Sequence, residues 1–141
     1  SKWFEHLPPQ SKPAIGFIVG GLEENGESKM YYLMSNLDFA PQLDVKGHAL
    51  GGIPQYATYI THRLYDTKMS RTHLIKLAVY AISETATQDP KVGGPIRVAE
   101  ISKEEGYKEL EESRVKDIVQ ANENVNTVLR KFFFKGEQYG K

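Results

Sequence analysis

The chain has 141 residues, a length that fits one domain and at most a small second one. Its 40% apolar content, with one Trp, eight Tyr and six Phe, is enough for a packed core and sets it apart from disordered sequences. Lys plus Arg equals Asp plus Glu at 18 each, which argues against a nucleic acid or an anionic membrane held by bulk charge, and the lack of cysteine excludes disulfides, thiolate catalysis and Cys-based zinc sites.

Residues 1–13 hold three prolines and little periodicity, so an extended lead-in is expected, with Trp3, Phe4 and Leu7 docking on this domain or on a partner. Residues 14–22 (AIGFIVGGL) form a continuous apolar run, too short for a typical helix and β-branched at its centre, which reads as a buried strand. Asn25-Gly26 suits a tight hairpin with positive φ at both central positions, and residues 29–35 (KMYYLMS) form the returning strand. Both strands lack a polar face, which implies a sheet covered on both sides.

Residues 43–50 (LDVKGHAL) read as a weaker third strand, broken by Gly51-Gly52. Pro54 suits a first helical turn, and Ile53, Ala57, Ile60 and Leu64 recur at helical spacing to about Tyr65. Ser70 is an N-cap for a second helix ending near Gln88, with Leu74, Leu77, Ala78, Ala81, Ile82 and Thr85 as its apolar stripe. After a loop at residues 91–95, residues 96–101 (IRVAEI) read as a strand, with residues 107–110 as its hairpin partner. Ser113 caps the expected final helix, on which Val115, Ile118, Val119, Val125, Leu129 and Phe132 lie along one side. Arg130, Lys131 and Lys135 oppose the negative end of its dipole, Gly136 is the expected stop, and residues 136–141 are expected to fray.

The expected order is β-β-β-α-α-β-β-α, an α+β protein and not an alternating βαβ one. One terminal helix is thin cover for the second face of the sheet. No apolar run reaches bilayer-spanning length and none follows the N-terminus as in a signal peptide, so a soluble, cytoplasmic protein without a membrane partner is expected.

Four segments carry a family resemblance. Residues 16–35 (GFIVGGLEENGESKMYYLMS) are similar to the apolar hairpin of proteasome-type N-terminal-nucleophile (Ntn) hydrolases. Residues 77–101 (LAVYAISETATQDPKVGGPIRVAEI) resemble that family's helix, Asp-containing loop and I-x-V-A-x-I strand. Gly51-Gly52-Ile53-Pro54 falls at the small-residue turn that opens the next helix, and residues 107–112 with the terminal helix match the last strand and helix. The ordered set spans roughly residues 14–130.

The resemblance implies a four-layer α-β-β-α sandwich, assembly with homologous or companion subunits into stacked rings, and a peptide substrate. Residues 14–135 would be the C-terminal part of one such domain. The family's nucleophile is a chain-terminal Thr, Ser or Cys whose own amine, with a pKa of about 8, acts as base. That N-terminal portion is absent from the resemblance, so the chain by itself is expected to be inactive.

By the same resemblance, Asp89 sits where active members orient the terminal Thr, while Asp-Pro after a helix is also an ordinary turn. Gly51 and Val92 replace two serines of active members, which weakens the case for peptidase activity. Gly51 and Gly52 form the turn beside the expected site; glycines at a helix start can bind an anion, but a simple tight turn is the plainer reading. Ser1 is terminal, yet leads into prolines and not into a strand, and reads as a boundary residue. His6, His48, His62 and His73 show no ligand spacing, so no metal or cofactor is expected. Phe132-Phe133-Phe134 cannot all point into one core and reads as a subunit interface. A hydrolase subunit lacking its nucleophile segment is the first expectation, and a non-catalytic ring or scaffold subunit the second. A small unrelated α+β binding domain with a closed core is the third.

Overall fold

The computed structural model describes residues 14–134, and the lead-in, Ser1, Gly136 and the expected frayed tail lie outside the described residues. The described residues are mixed α+β, with two small antiparallel sheets and three α-helices. It divides into two compact units, the first ending at Gly52 and the second beginning at Ile53.

The first unit is a three-stranded antiparallel sheet of β1 (Gly16–Leu22), β2 (Ser28–Met34) and β3 (Gln42–Leu43), in the order β1-β2-β3. The β1–β2 register runs unbroken from Gly16 opposite Met34 to Leu22 opposite Ser28. The hairpin turn differs from the Asn-Gly expectation. Gly26 N–H bonds the Glu23 carbonyl at 2.8 Å, and of the two turn residues only Gly26 takes positive φ, at 85°. Asn25 instead turns its side chain back, accepting the Glu27 N–H at 2.9 Å. An ion pair of 2.8 Å between Lys29 and Glu23 closes the hairpin base and raises the Lys29 pKa.

The third strand is shorter than residues 43–50. Asp44 ends it, because its carboxylate accepts the N–H groups of Lys46 (3.2 Å) and Gly47 (3.0 Å) and folds the chain into a turn with Gly47 at φ 78°. A local side-chain acceptor has outcompeted the ladder. Before it, Asp38 and Phe39 both take left-handed backbone, at φ 51° and 57°, an uncommon pair for residues with a Cβ. Phe39 is held there by a 2.9 Å bond from its N–H to the Met34 carbonyl and by ring contact with Phe17.

No described residue of this unit is buried. Phe17 and Val19, which share one face of β1, are 54% and 50% exposed, and Ile18 on the other face is exposed as well. Among the described residues the outer edge of β1 has no strand partner.

The second unit contains α1 (Gln55–Leu64), α2 (Arg71–Gln88), the hairpin of β4 (Ala99–Ser102) and β5 (Gly106–Glu109), and α3 (Glu112–Phe134). Ser70 caps α2 as expected, its Oγ accepting the His73 N–H at 3.4 Å. Ser113 does not cap α3. The first helical bond runs from Val115 N–H to the Glu111 carbonyl at 3.2 Å, so Ser113 lies inside the first turn. Glu112 occupies that turn beside the positive end of the dipole and pairs with Lys116 at 2.7 Å.

The core of this unit comprises Ala57 and Thr61 on α1, Ile75, Leu77, Val79, Ala81 and Thr85 on α2, and Val115 on α3. Val79 is fully enclosed. The buried hydroxyls of Thr61 and Thr85 donate to the carbonyls one turn back, Ala57 at 2.9 Å and Ala81 at 2.7 Å, so neither is stranded. The expected apolar stripe on α2 is only half used. Leu77, Ala81 and Thr85 are buried, whereas Leu74 and Ile82 are 40% and 44% exposed and Ala78 is exposed between them. The β4–β5 hairpin starts later than residue 96, because residues 95–98 run as irregular chain. Its pairing extends by one bond, Leu110 N–H to the Val98 carbonyl at 2.9 Å.

Candidate functional site

Asp89 ends α2 as its C-cap, its N–H bonded to the Thr85 carbonyl. Its Oδ1 accepts the Lys91 N–H at 2.8 Å, and its carbonyl accepts the Val92 N–H at 3.0 Å. The carboxylate is therefore spent on the turn that stops the helix, half-buried and bound to its own neighbours. Val92 follows in that turn and offers no hydroxyl.

Gly51 and Gly52 belong to the first unit. Gly52 sits at φ 76°, where a side chain would strain the backbone, and a Cβ there would meet nothing within 4 Å. A Cβ on Gly51 would lie 3.3 Å from Ile18 Cδ1, so even a serine there would press on β1. The preceding segment is tied to the sheet by Tyr32, whose hydroxyl accepts the Leu50 N–H at 2.8 Å. Backbone geometry favours glycine at position 52, and the tip of Ile18 crowds position 51.

Among the described residues, no group of three or more His, Asp or Glu side chains is placed to hold a metal ion. Tyr107 has its pKa raised by its 2.8 Å hydrogen bond to Glu109, an exposed contact on the hairpin.

The principal concavity of chemical interest lies in the second unit, where α1, α2 and α3 bound an open groove of about 590 Å³. Ile60, Leu64, Leu77, Val125, Leu129 and Phe133 supply its apolar surface, Arg63 and Lys76 supply its charge, and His73 adds an imidazole. Among the described residues, no carboxylate lines it. Tyr80 at its wall has its pKa raised, by burial first and then by Glu84, against the opposing effect of Arg63. Asn122 also lines the groove, with a buried Nδ2 that finds no hydrogen-bond partner.

The sequence shows His73 only as a histidine without ligand spacing, and Leu129 only as one of the apolar residues along one side of the final helix. The groove was visible only as a surplus: residues 125–134 carry more apolar side chains than one helix face can bury. All three phenylalanines at 132–134 are exposed, where the sequence required only that they not share one core. No helix among the described residues is long and apolar enough to cross a membrane. No protein-family model matches the sequence, and no curated protein matches it either.

Proposed function

We propose that this chain is the C-terminal portion of a proteasome-type Ntn hydrolase subunit, and that further chain completes it as a four-layer α-β-β-α sandwich in the cytoplasm. The observation that carries the proposal is β1, an apolar strand at a sheet edge with both faces bare. Long, flat, apolar edges are avoided in finished sheets because they recruit other strands. The exposed Leu74-Ala78-Ile82 face of α2 makes the same demand for cover. The element order β-β-β-α-α-β-β-α agrees with the order the resemblance implies.

In such a subunit, hydrolysis of a peptide bond begins with attack by a terminal Thr, Ser or Cys whose amine takes the hydroxyl or thiol proton. That nucleophile must come from another segment, so this chain alone does not hydrolyse peptides. The second reading, a non-catalytic ring subunit, draws support from Asp89. Its carboxylate already serves a helix-ending turn, and Gly51 and Val92 supply no hydroxyls.

Native mass spectrometry of the purified protein, combined with an electrophilic peptide probe for terminal nucleophiles, tests both readings. The expected result is a complex with a companion polypeptide or with further copies, and no label on this chain. Label on a companion's terminal residue selects the hydrolase; an unlabelled ring selects the structural subunit. A stable monomer with protected β1 amides in hydrogen exchange overturns both.

A further inference from the structure

The groove between α1, α2 and α3 is built within the second unit, and its chemistry does not rest on the proposal above. Three observations define it. Its walls are helix faces: Asn122, Val125, Leu129 and Phe133 mark one side of α3 over about three turns, about 16 Å at ~1.5 Å per residue. Its surface is apolar, and Leu64, Val125, Leu129 and Phe133 remain exposed. Its charge has one sign.

That sign is not inherited from composition, because the chain is neutral overall. Four cations elsewhere in the second unit pair with its own acids: Arg71 with Glu100, Arg97 with Glu109, Lys108 with Glu105 and Lys116 with Glu112, while others among the described residues stand alone on the surface. Arg63, His73 and Lys76 form no ion pair with any described residue; Arg63 Nη1 donates only to the Tyr59 hydroxyl, at 3.4 Å. Glu84, one turn beyond Tyr80, is held by Asn126.

We infer that this groove is the docking site for an acidic amphipathic helix of a partner protein. Three helix faces around an open trough accept a fourth helix by ridge-into-groove packing. The trough's length along α3 matches roughly three turns, so apolar residues at i, i+3, i+4 and i+7 of the incoming helix reach the floor. Carboxylates on its flanks meet Arg63, His73 and Lys76, which fixes its register and excludes basic helices.

The test uses the 141-residue chain and a fluorescent peptide of about twenty residues, long enough to be helical, with Leu at those spacings and Glu elsewhere. A second peptide carries Lys in place of Glu. Fluorescence anisotropy is expected to show binding of the acidic peptide that weakens with added salt, and binding of the basic one roughly tenfold weaker or more. The double variant Arg63→Glu, Lys76→Glu is expected to reverse that preference with an unchanged circular dichroism spectrum. Leu129→Ser, at an exposed position, is expected to weaken the acidic peptide without unfolding the chain. Equal binding of the two peptides overturns the inference, as does indifference to the charge reversal. It is also overturned by a self-dimer that Leu129→Ser dissociates, which assigns the groove to a second copy. Binding of a long-chain carboxylate in place of the acidic peptide overturns it too.

Discussion

Asn126 Nδ2 donates a 2.6 Å hydrogen bond to Glu84 Oε1, fastening α3 to α2 between residues 42 positions apart. The contact is partly buried, and the acceptor is a carboxylate, so it is stronger than a neutral pair. Asn126→Ala is expected to cost about 1.5 kcal/mol in urea unfolding, and Glu84→Gln less, because a neutral acceptor remains. A double-mutant cycle giving additive losses would show that the two side chains do not interact.

Helix starts give a second prediction. Ser70→Ala removes the acceptor for the His73 N–H and is expected to lower stability by about 0.5–1 kcal/mol. Ser113→Ala sits inside the first turn of α3 and is expected to change stability by less than about 0.5 kcal/mol. Equal losses from both substitutions would return Ser113 to the capping role read from sequence.

Asn122 gives a prediction of opposite sign. Its Nδ2 is buried with no acceptor, so the folded state carries an uncompensated desolvation. Asn122→Leu keeps the shape and removes the polar atoms. Thermal or chemical unfolding is expected to show a gain of about 1 kcal/mol. A loss of stability would mean that the amide is satisfied in solution.

The pH dependence of α3 follows from Glu112. Its hydrogen bond to Lys116, and then the charge of Lys116, hold the carboxyl pKa below the ordinary value of 4.5. A depressed folded-state pKa favours folding at pH above that ordinary value. The contribution is lost as pH falls through the lowered folded pKa. Glu112→Gln is therefore expected to flatten the acid limb of the stability curve below about pH 4.5 and to leave its shape at neutral pH unchanged. An unaltered acid limb would remove Glu112 from the linkage.

Local chemistry made most elements readable from the sequence. The apolar runs gave both long strands, Ser70 gave the start of α2, and Asp89-Pro90 gave its end. Boundaries moved where a side chain acted on nearby backbone. Asp44 cut the third strand short, Asn25 and Gly26 set the turn type, and Glu111 began α3 ahead of Ser113. Periodicity named the apolar side chains of α2, but burial depends on what covers them. The same stripe holds enclosed Leu77 and bare Leu74 because α1 and α3 pack on α2 only along part of its circumference. Composition likewise fixed neutrality, since it counts charges. Placement of Arg63, His73 and Lys76 around one trough was decided by the packing of three helices, which brings these residues of α1 and α2 beside Val125, Leu129 and Phe133 of α3, distant from them in the linear sequence.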